Sequence, residues 1–116
     1  MINEFYMSDK MKNMFRIDNQ VAVVTGGAGL YGKPISAALA EAGAKVIIAS
    51  RNEAECRAVA AVLVENGLQA EGVALDLGRE DAIKQFVAFV KEKHGKIDVL
   101  VNNAVSREGY KDMGEI

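Results

Sequence analysis

The stretch VAVVTGGAGLYG, from Val21 to Gly32, decides the fold of this chain. Four apolar residues run into a cluster of glycines, and an apolar pattern at helical spacing follows at once. A continuous apolar run is typical of a buried parallel strand, and glycines allow a tight turn towards a helix. The N-terminus of a helix offers unpaired N–H groups and the positive end of its dipole, which suit a pyrophosphate. The stretch therefore predicts a strand, a turn and a helix that bind a dinucleotide.

Composition narrows the class of protein. The chain has 116 residues, half of them hydrophobic, which is enough for one domain with a core. A net charge of −2 and a pI near 5.4 argue against nucleic acid as a partner, because nucleic-acid-binding surfaces are usually basic. No apolar run approaches the roughly 20 residues that span a bilayer. The single cysteine, Cys56, cannot form an internal disulfide, which fits a reducing compartment. We therefore expect a soluble, cytoplasmic protein that binds neither membranes nor nucleic acid.

Strand and helix patterns alternate along the chain. The predicted strands are Val21–Thr25, Lys45–Ala49, Ala70–Leu75 and Ile97–Val101. The predicted helices run from Gly32 to about Ala42, from Asn52 to a stop at Gly67, and from about Arg79 to Lys93. Such alternation predicts an α/β fold with helices on both faces of a parallel sheet. We expect the first half of a Rossmann-type, doubly wound sheet with strand order 3-2-1-4, which places the glycine turn at the topological switch point.

Apolar spacing predicts the inner face of each helix. In the first helix this face is Ile35, Ala38 and Leu39. The inner residues of the other two helices are Cys56, Val59, Ala60 and Leu63, and then Ile83, Phe86, Val87, Val90 and His94. Cys56 is interpreted as a small core residue, and His94 as a structural residue at a helix C-terminus, where positive charge is favourable. No group of His, Cys, Asp and Glu has the spacing of a metal site.

Short motifs follow each predicted strand. They are Thr25-Gly26 with Gly29 and Gly32, then Ser50-Arg51, then Asp76-Leu77, and finally Asn102-Asn103-Ala104. This combination, over about Phe15 to Val105, resembles the short-chain dehydrogenase/reductase family of NAD(P)-dependent oxidoreductases, with an overall likeness to gluconate dehydrogenases. The resemblance implies that the cofactor is bound by Thr25, Gly26, Gly29, Leu30, Tyr31, Gly32, Ser50, Arg51, Asp76, Leu77, Asn102, Asn103 and Ala104.

The motifs depart from the pattern of that family at two places. The main branch would have glycine at position 30, where this chain has Leu30, with a glycine at position 29 instead. The resulting spacing resembles the extended branch, which includes sugar-nucleotide epimerases. Val105 also replaces the glycine that usually completes the asparagine motif. We favour the main branch, because the asparagine pair and the segment Lys45–Arg51 resemble it more.

The residues after the second strand indicate the cofactor. An acidic residue there would bind two ribose hydroxyls and repel a 2′-phosphate. This chain has Ser50 followed by Arg51, whose planar cation can pair with a phosphate, so NADP(H) is favoured over NAD(H). The alternative is that Arg51 is a solvated residue near a helix start.

The resemblance also suggests roles for the motifs after the third and fourth strands. It implies that Asp76 accepts a hydrogen bond from the adenine amino group while Leu77 packs near the ring. The alternative role for Asp76 is that of a turn residue. By the same resemblance, Asn102 is a structural residue that ties neighbouring strands together, and Asn103 lies beside the cofactor.

Catalytic residues of the resembled family are not found where they are expected. Hydride transfer in that family depends on a later Ser, a Tyr-x3-Lys pair and a further Asn. After Asn103, Tyr110 is followed directly by Lys111, and Ser106 comes too soon after the fourth strand. No catalytic residue and no metal ligand is therefore assigned. We expect a mobile leader over residues 1–13 and a cofactor-binding half-domain over residues 14–116, truncated before the catalytic segment.

The predicted function follows from these motifs. The chain is expected to be the cofactor-binding half of a homo-oligomeric oxidoreductase that acts on a carbonyl or secondary alcohol of a small molecule, with a sugar acid or polyol as candidate substrate. Two alternatives remain open. One is a non-catalytic dinucleotide-binding module, and the other is a fragment of an extended-type epimerase.

Overall fold

The computed structural model describes residues 13–103. The elements that lie wholly within this range are β1 (Val21–Thr25), α1 (Gly32–Glu41), β2 (Lys45–Ser50), α2 (Glu53–Glu65), β3 (Gln69–Ala74), α3 (Glu80–His94) and β4 (Val99–Asn102). Nearly all of the expected leader lies outside the described residues, and so do Ala104, Ser106 and Tyr110.

The strands form one parallel sheet in the order β3-β2-β1-β4. Val23 of β1 is aligned with Ile47 of β2 on one side and with Leu100 of β4 on the other. All five residues of β1 are buried, because the strand has a neighbour on each side and helices over both faces. The predicted strand order and the continuous apolar strand are thus confirmed.

Alternate residues of the central strands enter two separate cores. On one face, Ala22 and Val24 of β1 pack with Val46 and Ile48 of β2 against α1 and α2. On the opposite face, side chains of the same strands pack against α3; they are Val21, Val23, Ile47 and Ala49, with Phe86 and Val90 from the helix. Because side chains of a strand alternate between faces, both layers are anchored on the same strands. The doubly wound arrangement is confirmed.

The inner face of α1 differs from the predicted one. Ala38 is exposed, whereas Ser36 and Ala40 are buried, with Ile35 and Leu39 partly buried beside them. The prediction for Ala38 was wrong because apolar spacing gives no weight to a serine. The Ser36 hydroxyl donates to the carbonyl oxygen of Gly27 at 3.4 Å, which satisfies it inside the core.

Helix α2 lies unusually close to the sheet. A Cβ atom at Gly72 of β3 would collide with the backbone of Cys56 and Arg57, so only glycine allows this approach. Asn52 caps the start of the helix, and its Oδ1 accepts a hydrogen bond from the Glu55 N–H at 3.1 Å. This N-cap anchors the start of α2 beside the end of β2.

Candidate cofactor site

The carboxyl ends of the strands are joined laterally by hydrogen bonds. Gly26 N–H donates to the Ala49 carbonyl oxygen at 2.8 Å, and Leu75 N–H donates to the Ser50 carbonyl oxygen at 2.7 Å. On the other side, Asn103 Nδ2 donates to the Gly26 carbonyl oxygen at 3.4 Å. The structure therefore brings the motifs of all four strands to one edge of the sheet, where α/β proteins of this type bind ligands.

The glycine turn joins β1 to α1 through two glycines with different tasks. Gly26 has a φ of 67°, which is the left-handed region that glycine adopts most easily. Gly32 lies so close to the carbonyl oxygen of Gly26 that a Cβ atom would collide with it. Gly29 N–H donates to the same carbonyl oxygen at 3.0 Å and closes the turn. The first turn of α1 is thus held tightly against the end of β1.

Leu30 occupies its place in this turn without strain. Neither Gly29 nor Leu30 has a positive φ, so the backbone at position 30 does not require glycine. The side chains of Leu30 and Tyr31 are 82% and 71% exposed. Both side chains are therefore open to solvent at the start of α1.

The start of α1 presents unpaired backbone donors. Within residues 13–103, the N–H groups of Leu30, Tyr31 and Gly32 donate to no protein acceptor. The first turn contains no acidic residue and carries Lys33, a cation that sequence reasoning did not single out. Donors at a helix start, a positive dipole end and a nearby cation together favour an anion. The turn can therefore hold a pyrophosphate.

Thr25 connects β1 to the end of β4 and to the residue that follows it. Its buried hydroxyl lies 3.1 Å from Asn102 Oδ1 and 3.3 Å from the Val101 carbonyl oxygen, and it accepts the Asn103 N–H at 3.1 Å. Asn102 thus lies where it can tie two strands together. The side chain of Asn103 reaches the glycine turn instead, through Gly26. Their assignment as structural and cofactor-facing residues stays a prediction.

Arg51 and Asp76 line a common cavity of about 490 Å³ at the ends of β2 and β3. Phe86 and Phe89 of α3 form part of its wall. Arg51 is exposed and forms no ion pair with any residue of the described range. Asp76 Oδ1 accepts the Gly78 N–H at 2.9 Å, which is the contact of a turn residue, and Leu77 is 42% exposed. The cavity can accept a flat ring beside a cation.

Ser50 differs from Arg51 in that its side chain is engaged inside the protein. Its hydroxyl lies 3.1 Å from the Asn52 N–H nitrogen, 3.3 Å from the Asn52 carbonyl oxygen and 3.0 Å from Cys56 Sγ. Cys56 was predicted to be a small core residue, and it is completely buried. The contact between its thiol and the end of β2 could not be read from the sequence.

Gly27 and Ser36 are further supports of the site that sequence reasoning missed. A Cβ atom at Gly27 would lie 2.8 Å from Ile48 Cγ2 and 3.0 Å from Ser36 Oγ, so the turn packs directly on β2 and α1. The double glycine and a serine amid apolar helix positions were the available signals.

A second polar cluster lies away from the glycine turn, between β3 and α3. Glu71 Oε2 pairs with Lys93 Nζ at 2.6 Å, and Glu71 Oε1 lies 2.7 Å from His94 Nε2. Burial raises the pKa of Glu71, but hydrogen bonds from Lys93 and His94 and their charges outweigh it, so the pKa lies below its usual range. We call these three residues the Glu71 cluster; its contacts fit the structural role predicted for His94.

In the part of the chain from residue 13 to residue 103, no helix is long and apolar enough to cross a membrane. Nor does this part bring together three His, Cys, Asp or Glu side chains that could hold a metal ion.

A parallel sheet of order 3-2-1-4 with a glycine turn at the end of its first strand defines a Rossmann-type nucleotide-binding domain. A family model described as short chain dehydrogenase matches residues 20–115. The chain therefore belongs to the short-chain dehydrogenase family.

Individual relatives agree with this membership. An uncharacterized oxidoreductase of Mycobacterium tuberculosis is 43% identical over 91 residues, which cover 78% of this chain and 35% of that protein. A 3beta-hydroxysteroid dehydrogenase of Mediterraneibacter gnavus is 38% identical over 91 residues, which cover 78% of this chain and 33% of the relative. The crystal structure of a metagenomic short-chain oxidoreductase in complex with NADP superposes with a TM-score of 0.74 at 43% identity, covering 77% of this chain and 40% of that one. The chain spans about a third of the length of these curated relatives.

Proposed function

We propose that residues 14–116 form the cofactor-binding half of a short-chain oxidoreductase that prefers NADP(H) to NAD(H). In this proposal the whole protein interconverts a carbonyl and a secondary alcohol. The observation that carries the cofactor preference is Arg51, an exposed cation without an ion pair in the described range, at the end of β2 where an acidic residue would select NAD(H). Family membership supports the oxidoreductase class.

The residues of the site fit a dinucleotide. The N–H groups of Leu30, Tyr31 and Gly32 would hold the pyrophosphate, because they are unpaired within the described residues and no carboxylate lies in the first turn of α1. Asp76, which lines the same cavity as Arg51, and the neighbouring, partly exposed Leu77 would border the adenine. When bound, the cofactor would supply hydride chemistry, while these residues bind and orient it.

The placement of Arg51 makes a specific electrostatic contribution. A guanidinium can form a bidentate, charge-assisted contact with a 2′-phosphate, and NADH has no phosphate there. Ser50 is uncharged, so no carboxylate at the end of β2 repels that phosphate. These features support NADP(H) as the preferred cofactor.

The proposal is tested by expressing the gene and measuring the binding of NADPH and NADH to the purified protein by titration. Arg51→Ala is expected to weaken NADPH binding by about 1–3 kcal/mol and to leave NADH binding nearly unchanged, because one charge-assisted contact is lost. Arg57→Ala is the matched control, since Arg57 is an exposed arginine on α2 that pairs with Glu53. Equal losses for both cofactors in Arg51→Ala, or no nucleotide binding by the unaltered protein, would contradict the proposal.

For the whole protein we propose a sugar acid or polyol as substrate, a homo-oligomeric state and a reducing compartment such as the cytoplasm. The substrate class rests on the resemblance to gluconate dehydrogenases, and the compartment on the single, buried cysteine. An assay panel of sugar acids, polyols and hydroxysteroids with NADP+ distinguishes the substrate classes. Turnover of hydroxysteroids alone would contradict the substrate class and leave the cofactor site intact. Nucleotide binding without any turnover would favour the non-catalytic module.

A further inference from the structure

We infer that Ser50 and Cys56 set the cofactor preference indirectly, because they hold the turn that presents Arg51. In this inference Ser50 does not contact the cofactor. This inference rests on the proposed function, because it concerns the same 2′-phosphate position. It assigns Ser50 and Cys56 as positioning residues and leaves Arg51 as the side chain that touches the ligand.

Contacts within the protein can use the whole hydrogen-bonding capacity of the Ser50 hydroxyl. A hydroxyl has one proton to donate and two lone pairs that accept. The Asn52 N–H nitrogen lies 3.1 Å from Ser50 Oγ and can only donate to it. In the arrangement that uses every contact, the Ser50 hydroxyl donates to the Asn52 carbonyl oxygen at 3.3 Å and accepts the Cys56 S–H at 3.0 Å. A contact from Ser50 to a phosphate would have to break one of these bonds.

Cys56 is held in place by the packing of α2 on β3. The thiol side chain is completely buried, and the backbone of Cys56 lies directly against Gly72. Any side chain at position 72 would push this part of α2 away from the sheet. The sulfur atom therefore meets the end of β2 from a fixed position in the core.

Arg51 lies between two anchored neighbours. On one side, Ser50 is bound through its hydroxyl to Cys56 and to Asn52. On the other side, Asn52 caps α2 through Glu55 N–H. The backbone of Arg51 is therefore ordered before any ligand arrives, while its own side chain stays exposed. Pre-ordering lowers the entropic cost of binding, and here it benefits only a ligand with a 2′-phosphate.

A double-mutant cycle tests the inference. Dissociation constants for NADPH and NADH are measured for the unaltered protein, Ser50→Ala, Cys56→Ala and the double variant. Each single variant is expected to reduce the preference for NADPH roughly two- to tenfold, as for the loss of one hydrogen bond. The double variant is expected to lose no more than the larger single loss, because both changes break the same contact.

Conservative and control variants separate this role from general loss of stability. Cys56→Ser keeps a donor and is expected to retain the preference within about twofold. Cys56→Val keeps apolar volume without a donor, so it should behave like Cys56→Ala. It is used in place of Cys56→Ala if the alanine variant does not fold. Val59→Ala removes core packing from the same helix and is expected to leave the preference unchanged.

The outcomes that overturn the inference differ from those that overturn the proposed function. A reduced preference for NADPH in Ser50→Ala with no change of preference in the Cys56 variants would mean that Ser50 touches the phosphate itself. Additive reductions of the preference in the double variant would mean the same. Equal affinity of the unaltered protein for NADPH and NADH would instead remove the proposed cofactor preference. A preference that depends on Arg51 but survives in Cys56→Ala and Cys56→Val would refute the inference alone.

Discussion

At the scale of single residues, the turn after β1 depends on backbone conformation at one glycine and on space at another. Gly26 needs its positive φ of 67°, and Gly32 needs room beside the Gly26 carbonyl oxygen. Gly29 has neither requirement to the same degree, since its φ is not positive and a Cβ atom there would lie 3.3 Å from that oxygen. Glycines in one motif therefore differ in how well they tolerate a side chain.

We expect Gly32→Ala to damage the site and Gly29→Ala to be tolerated much better. The first change forces a methyl group into the Gly26 carbonyl, which should cost about 1–3 kcal/mol of unfolding free energy and weaken NADPH binding at least about tenfold. The second is the matched control in the same turn, and we expect it to cost less than about 1 kcal/mol. Urea denaturation and NADPH titration measure both effects. Equal losses in the two variants would contradict this account of the turn.

Thr25 provides a second test at the scale of one residue. Thr25→Val keeps the shape of the side chain but removes the acceptor of the Asn103 N–H, so we expect a loss of about 1–3 kcal/mol in unfolding free energy. Thr25→Ser retains the hydroxyl and should lose less. Urea denaturation measures the stability, and amide hydrogen exchange at Asn103 reports the bond itself. Exchange at Asn103 that is unchanged in Thr25→Val would show that the threonine does not hold this segment.

Sequence reasoning could place residues at the strand ends but not their contacts. Arg51 was expected at the end of the second strand, because the length of that strand and the order of the motifs determine which residues lie there. The engagement of the Ser50 hydroxyl could not be predicted, since it depends on how closely α2 packs on Gly72. Contacts between distant elements carry no local pattern.

At the scale of the elements, the apolar patterns were accurate where hydrophobicity alone decides burial. β1 has the predicted bounds, and Cys56, Ala60 and Leu63 of α2 are buried as expected. The last strand begins at Val99 rather than Ile97, because strand ends depend on pairing with β1. In α1 the core contains Ser36 and not the predicted Ala38, because the Gly27 carbonyl oxygen accepts a hydrogen bond from the serine hydroxyl.

The packing of α3 on β3 should depend on pH through the Glu71 cluster. Burial raises the pKa of Glu71, but its bonds with Lys93 and His94 outweigh this and lower the pKa below the ordinary value of 4.5. A carboxyl whose pKa is lower in the folded state stabilises the fold above its unfolded pKa. This contribution is therefore present above pH 4.5 and is lost as the pH falls through the lower, folded value.

We expect Glu71→Gln to be less stable than the unaltered protein at about pH 6, with the difference shrinking at about pH 3. Urea denaturation at both pH values measures this difference. Glu92→Gln is the control on α3, because Glu92 is exposed and forms no ion pair with the residues that the structure describes. A stability difference for Glu71→Gln that does not change between the two pH values would contradict the role of the cluster.

At the scale of the whole molecule, the strand order followed from the alternation of elements, because parallel sheets built from such units have few allowed windings. The strand order also predicted the edge of the sheet at which the site lies, because the carboxyl ends of parallel strands lie at the same edge. Substrate specificity could not be obtained in this way. The chain spans about a third of the length of the curated relatives it matches.

Cofactor binding should stabilise the domain as a unit. At a free NADPH concentration of about 100 times its Kd, linkage predicts about 2.7 kcal/mol of added stability. The same concentration of NADH should add less, and Arg51→Ala should abolish the difference between the two nucleotides. Thermal unfolding with each nucleotide measures this, with Arg57→Ala as the control. Equal stabilisation of the unaltered protein by both nucleotides would contradict the preference.

The pairing of β1 with β4 has a consequence for how the domain is made on the ribosome. β1, β2 and β3 follow one another closely, so they can associate soon after they leave the exit tunnel. Thr25 must wait for Asn102, which is synthesised 77 positions later. Closing that long loop carries the larger entropic cost. We therefore expect the newborn domain to pass through a stage in which the inner strands are assembled while the Thr25 hydroxyl still faces water, so that the nucleotide pocket is completed last.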